Sequence, residues 1–347
     1  MDLTIKQIAL RAGVSKSTVS RVISGKGYAS PETREKVNQI INELQYKPNA
    51  LARAMVSQRT NNIGVIIFRE EYPIASHPFY GQILDSIITA AESLNYSVFV
   101  ATVREMNSRS ADYMFEKRVD GLILISRLRK HLIDSIQHFK VPYVMVNGST
   151  DVSGVFHLVN NDDGGGRKAA DYLLGIGHRN IFILAGPQTH RSHHLRLAGF
   201  RDGMSGHNNP IPDSSIAYPA ASSFEEGYRT MKQEWSRFLD GKYTAIFATN
   251  DMIALGAMKF LLEQFIRIPE QVAVMGFDGI DYAEMFSPSL TTIGVDMKEM
   301  GRQSLVLLDN LIREETVSGN TVEFEPELIV RQSTEKIVDL KGESSLL

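Results

Sequence analysis

Apolar residues along the chain keep two different rhythms, and the change between them falls near residue 60. Before it the spacing is helical: Ile8 and Ala9 mark one side of a short helix, Val14, Val19 and Val22 a second, and Val37, Ile40, Ile41 and Leu44 a third. The breaks carry their own chemistry. Thr4 and Gln7 stand as a Thr-x-x-Gln capping box, Gly13 supplies the positive φ of a sharp turn, Ser15 caps the second helix, and Ser30-Pro31-Glu32 opens the third. Two short helices joined at Gly13 make a helix-turn-helix, and the third closes a small core. Packing Val14, Val19 and Val22 inward leaves Lys16, Ser17, Ser20 and Arg21 on the outer face. Asn49 is placed to cap one more helix over residues 50–57, too short to hold itself in water and expected to order only against a partner.

Past residue 62 the apolar residues run together in short β-branched stretches. Strands are predicted at 63–68, 97–101, 121–125 and 143–146, and again at 180–185, 245–248 and 272–275. Amphipathic segments around 80–94, 108–117 and 130–139 separate the first set, and helices near 163–175, 192–204, 223–238 and 251–263 the second. Continuous apolar strands alternating with helices mean a parallel sheet covered on both faces. The fold expected is therefore a small all-α helix-turn-helix headpiece plus an α/β core of two doubly wound parallel-sheet subdomains. The divisions are 1–48 for the headpiece, 49–61 for a hinge helix and linker, 62–158 for the first subdomain and 159–290 for the second. A helix near 296–314 returns to the first subdomain (about 294–318). A strand near 322–330 finishes the second (about 319–335).

Composition sharpens this picture. With 347 residues, 43% of them apolar, there is material for more than one core. No cysteine is present, which excludes disulfides, thiolate zinc sites and cysteine nucleophiles. No signal-like segment and no bilayer-length apolar run is visible, so a soluble cytoplasmic protein without a membrane partner is expected. The net charge of −3 hides an asymmetry: residues 1–60 carry ten Lys/Arg against four acids, and the remainder 27 against 36. A basic first unit on an acidic body fits a nucleic-acid reader joined to a domain of another purpose. Lys16 and Arg21 suit guanine edges or phosphate, and Ser17 suits either.

Ligands of open parallel sheets sit beyond the carboxyl ends of the strands, which places a small-molecule site between the two subdomains. The candidates there are Phe79 with Tyr80, Asn147, Asn160, His190, Ser192, Arg196, Asn250 and Asp278. Strand-end amides and carboxylates, an arginine and a ring suit a polyhydroxylated molecule or a small polar metabolite. Asp251 reads as the cap of the helix that follows it, and Phe79 and Tyr80 read equally as core. His190, His193 and His194 cluster, but no cysteine or close carboxylate completes a metal site, so no metal and no cofactor are expected. Gly164-Gly165-Gly166 opens a helix without the spacing of a phosphate loop. No nucleophile elbow or general acid–base pair is found, so the chain does not read as an enzyme.

From Thr4 to about Thr334 the chain resembles the lactose/galactose-repressor family of bacterial transcription regulators. The headpiece and hinge signatures stand at 4–9, 12–15, 18–22 and 46–50, and core signatures at Val119-Asp120-Gly121, Gly177-His178-Arg179, Leu184-Ala185-Gly186-Pro187, Arg196-Leu197-Ala198-Gly199-Phe200, Asn250-Asp251, Gly276-Phe277-Asp278 and Pro288-Ser289-Leu290-Thr291-Thr292. The resemblance implies a periplasmic-binding-protein-like core, a homodimer on a pseudo-palindromic operator, and an effector, most often a sugar, in the cleft. It further implies DNA contacts from Thr4, Lys16, Ser17, Ser20, Arg21, Asn49, Ala52 and Met55, with effector contacts from Arg196, Asn250 and Asp278 and Phe79 and Asn147 beside them. Three positions depart from the pattern. Met55 stands where the family usually wedges a leucine between base pairs, Ser222 stands where many members place an aromatic, with Phe224 nearby, and the chain has no heptad tail of the tetramer-forming kind. A purine effector, a metabolite-binding protein without regulation, a nucleotide-dependent enzyme and a docking co-regulator are the rival readings.

Overall fold

The computed structural model describes residues 4–24, 27–44, 46, 59–68, 77–103, 119–126, 136, 138, 140–148, 154–317 and 319–334. The expected hinge helix with Asn49, Ala52 and Met55, and most of the segments 108–117 and 130–139, lie outside them.

The headpiece is three helices, α1 (Ile5–Ala12), α2 (Lys16–Ser24) and α3 (Pro31–Glu43). Each begins where a polar side chain replaces a missing helical bond. The Thr4 N–H donates to Gln7 Oε1 at 2.9 Å, the Thr18 N–H to Ser15 Oγ at 3.1 Å, and the Thr33 N–H to Ser30 Oγ at 3.2 Å. Gly13, at φ +67°, ends α1 and turns the chain into α2. Ile8, Val19, Val22, Val37 and Ile40 close a core of their own.

The first lobe holds β1 (Asn62–Phe68), α4 (Tyr80–Ser93), β2 (Ser97–Val103), β3 (Gly121–Ile125), β4 (Tyr143–Val146) and β5 (Phe156–Asn160). The second holds α5 (Asp162–Gly175), β6 (Ile181–Leu184), α6 (Arg191–Gly206), β7 (Ile216–Ala217), α7 (Phe224–Gln233), α8 (Trp235–Asp240), β8 (Ala245–Ala248), α9 (Asp251–Glu263), β9 (Ala273–Asp278), α10 (Asp281–Met285) and β10 (Thr291–Gly294). The chain then crosses back through α11 (Met297–Ile312) and ends its described course in β11 (Thr321–Phe324) and β12 (Glu327–Ile329). One sheet has the order β11-β5-β4-β3-β1-β2 and is parallel throughout; the other has the order β12-β10-β9-β8-β6-β7, with β12 antiparallel.

Two expectations are corrected here. The stretch 322–330 is two strands: Thr321–Phe324 pairs in parallel with His157–Asn160 in the first sheet, and only Glu327–Ile329 joins the second. Pro326, which has no N–H to give a ladder, separates them. The first sheet also runs through β5 to Asn160, two residues beyond the boundary drawn at 158. Residues 156–160 and 291–294 form strands that the apolar pattern does not predict, their apolar content being diluted by His157, Asn160, Thr291 and Thr292. Gly301 lets α11 lie against α4, since a Cβ there would meet the Ile83 carbonyl at 2.5 Å.

Candidate functional site

The carboxyl ends of β3, β4 and β5 face the start of α6 across a small cavity. Tyr80, Ser126, Asn147, Gly148 and Val159 contribute from the first lobe, and Asp162, His190, Arg191 and Ser192 from the second. Its volume of about 40 Å³ is room for a few waters. Sites for small organic ligands are roughly 300–1,000 Å³, so a sugar enters only when the lobes part. Chain reversal at the strand ends shapes the rim: Ser126 and Asn147 adopt φ +71° and +50°.

Behind the cavity lies a charged network. Arg196 is buried; its Nε donates to Asp162 Oδ1, one NH to Asp278 Oδ1 and to the Thr249 carbonyl, each at 2.8 Å, and its guanidinium stacks 3.8 Å over the Phe277 ring. Burial pushes Asp278 up to about 7 against the pull of Arg196, and raises Asp162 as well. For Arg196 burial opposes the charge, but Asp278 and Asp162 override it and hold the guanidinium protonated. Asp278 sits at φ +121°, a conformation that costs a non-glycine residue about 1–3 kcal/mol and that this network holds. Among the described residues, Asp162 is the one whose side chain both lines the cavity and bonds the Arg196 guanidinium.

Of the eight expected effector residues, the cavity brings together Asn147, His190 and Ser192; Arg196 and Asp278 stand one layer behind through Asp162. Phe79 is buried in the core beneath α4, and it is Tyr80 that reaches the wall, its hydroxyl 3.4 Å from Ser126 Oγ. The helix position decides between these adjacent rings: the first residue of α4 faces the rim and the residue before it faces inward. Asn250 is the cap of α9, its Oδ1 accepting from the Ile253 N–H at 2.9 Å. Asp251, expected as that cap, instead lies one residue inside the helix, fully buried, and accepts from the Gly279 and Ile280 N–H groups and from Thr292 Oγ1. Burial raises Asp251 to about 6. Asn160 is buried, with neither amide atom hydrogen-bonded. The residues missed, Ser126, Asp162 and Arg191, were reachable by the strand-end rule for Ser126 alone; Asp162 and Arg191 sit in first helical turns, which periodicity does not single out.

Of the histidine cluster, His190 lines the cavity and the other two are held by hydrogen bonds. His193 is hydrogen-bonded at Nδ1 to Thr249 Oγ1 and at Nε2 to Ser222 Oγ, both at 2.7 Å, and His194 contacts the Gln188 carbonyl. Ser222, in the place of the expected aromatic, thus positions His193. The glycine run opens α5, as expected: a Cβ on Gly165 would strike Phe277 at 2.6 Å, and one on Gly166 the Arg196 carbonyl.

On the headpiece, Lys16, Ser17 and Arg21 are exposed along α2 and Ser20 is half-buried. Ser17 Oγ lies 2.6 Å from the capping Ser15 Oγ, which fixes its hydroxyl beside the helix start. Arg21 packs its methylenes against Gly27, where a Cβ would meet Arg21 Cδ at 3.2 Å. Where the chain enters the first lobe, the Asp120 carboxylate accepts from the Thr60 N–H (2.6 Å), Thr60 hydroxyl (2.8 Å) and Asn61 N–H (2.8 Å).

Comparison with known proteins follows this anatomy. A family model described as bacterial regulatory proteins, lacI family, matches residues 4–49, and one described as a periplasmic binding protein-like domain matches residues 170–334. The HTH-type transcriptional regulator DegA of Bacillus subtilis (strain 168) is 33% identical over 342 residues, covering 96% of this chain and 98% of DegA. Among solved structures, the CelR–cellobiose complex is 30% identical with a TM-score of 0.72, covering 95% of this chain and 99% of that one. The lac repressor dimer bound to operator and the anti-inducer ONPF is 28% identical with a TM-score of 0.83, covering 96% and 99%.

Proposed function

Because the chain belongs to the lacI family of bacterial regulatory proteins, we propose that it is a transcriptional repressor whose operator affinity is set by a small polyhydroxylated effector held between its lobes. It acts in the cytoplasm as a homodimer, two headpieces reading two halves of a pseudo-palindrome. Lys16, Ser17 and Arg21 meet base edges, while Thr4 and Ser20 meet the backbone. Asn49, Ala52 and Met55 belong to the segment expected to order against DNA.

The observation that carries the coupling is the placement of the two ends of the first sheet. The cavity lies at the carboxyl ends of its strands, and the linker from the headpiece is fastened by Asp120 at the amino end of β3. A packed sheet moves as a body. Parting the lobes to admit a ligand therefore displaces the two linkers of a dimer relative to each other, and affinity for effector and DNA change reciprocally. Among the described residues the cavity wall carries the Tyr80 phenol and the His190 imidazole, with Phe79 buried and Ser222 turned to His193, which favours a hydroxyl-rich ligand over a purine stacked between large rings.

The test is a pair of titrations on the full-length protein: operator binding by anisotropy with and without a bound effector, repeated on Ser192→Trp. The variant is expected to lose the effector response, its operator affinity staying at whatever value the filled cavity sets. An unchanged response would place the effector elsewhere.

A further inference from the structure

Arg191 is the unaccounted charge of the cavity. It is exposed, lines the cavity, and makes no hydrogen bond or ion pair among the described residues, whereas Arg196 behind it is committed to Asp162, Asp278 and Thr249. It is also the first residue of α6, a 16-residue helix whose cap residue, His190, accepts no capping bond through its side chain. A cation at the positive end of a helix dipole is unfavourable alone and becomes favourable beside an anion, which the same helix end also attracts. An independent observation points the same way. Asn160, 5% exposed, has both amide atoms unpaired, and it lies between Val159 and Asp162, which both line the cavity. Buried amides are almost always hydrogen-bonded, so a polar group is wanting at this corner.

We propose that the effector is an anionic polyol, a sugar acid or a sugar phosphate, whose charge pairs with Arg191 and whose hydroxyls meet Asp162 and Asn160. This rests on reading the cavity as the effector site. A neutral sugar would enclose the Arg191 guanidinium with no nearer counter-charge than Asp162, which Arg196 already engages, as the lobes close over it. Asp162 already lies within electrostatic reach of Arg191, so the ligand must offer hydroxyl donors to the carboxylate as well as a negative group to the guanidinium.

The experiment is a thermal-shift and calorimetric titration of full-length protein at low salt with gluconate, glucose 6-phosphate and glucose, on the wild type, Arg191→Gln and Ser192→Trp. At least one anion is expected to bind saturably in the millimolar range or better while glucose does not, the gluconate and phosphate arms separating the two anion types. Arg191→Gln, at an exposed position, is expected to weaken that anion at least about tenfold. Ser192→Trp, checked for folding by circular dichroism, is expected to abolish it. Glucose binding as well as the anions and lost only in Ser192→Trp would overturn the anionic class while keeping the cavity as effector site. Binding that survives Ser192→Trp would overturn the site itself. Absence of binding by both anions would overturn the proposal.

Discussion

Arg196 holds two carboxylates, a backbone carbonyl and an aromatic face at once, and its removal leaves Asp162 and Asp278 buried without a counter-charge. Breaking a buried pair from one side costs about 3–5 kcal/mol. Arg196→Ala is expected to lower stability by that order in a urea melt and to abolish the effector response; a loss under about 1 kcal/mol would mean that the carboxylates find protons or water at little cost. The same burial gives a pH signature. Asp278 and Asp251, raised from 3.8 to about 7 and about 6, bind protons more tightly folded than unfolded. Their contribution is therefore complete below about pH 4 and is lost as pH rises towards 7, at up to about 1.4 kcal/mol per pH unit for each group. The melting temperature of Asp278→Asn is expected to fall less between pH 5 and pH 7 than that of the wild type; parallel slopes would assign the raised affinity elsewhere. At this scale the sequence carried residue type better than position. Arg196 and Asp278, expected as effector contacts, stand one layer behind the cavity wall; which of Phe79 and Tyr80 faces the cavity depends on where α4 begins, and which of Asn250 and Asp251 caps α9 depends on one residue of register.

At the scale of elements, the helix-turn-helix was legible because its signals are local. Caps at Ser15 and Ser30, a turn at Gly13 and a valine stripe act within a few residues of one another. Arg21→Ala is expected to weaken specific operator binding by about 1–3 kcal/mol and to flatten discrimination at one operator position, read in a competition series of single-base variants. Uniform weakening across all variants would make Arg21 a phosphate contact instead. The core helices depend on partners distant in sequence. Gly199 lets α6 cross against α5, and a Cβ there would strike the Asp163 carbonyl, which is backbone and does not swing aside. Gly199→Ala is expected to cost about 1–3 kcal/mol in the same urea melt despite the better helix propensity of alanine, and a neutral result would show that the two helices slide apart freely. Strands β5 and β10 escaped the pattern because their identity comes from partners distant in sequence; Thr321–Phe324, expected within one strand at 322–330, alternates in exposure like an edge strand and gives no hint of which sheet it joins.

Across the whole molecule, the proposed coupling runs from a small cavity between the lobes through the first sheet to the clasp at Asp120 and the basic headpiece. A truncation beginning at Asn61 is expected to retain effector binding in calorimetry and to lose operator binding in gel shift, since every described residue of the cavity lies beyond that point. Operator affinity of the full chain is expected to fall steeply between low and physiological salt, because phosphate contacts release counterions. The direct measurement is operator titration by fluorescence anisotropy, on a duplex obtained by unbiased selection at low salt, with and without a saturating cavity ligand. The account predicts nanomolar-class binding to the selected duplex that shifts roughly ten- to a hundredfold with ligand, a coupling of a few kcal/mol. No preference for any duplex, or an affinity that the ligand leaves unchanged, would contradict it.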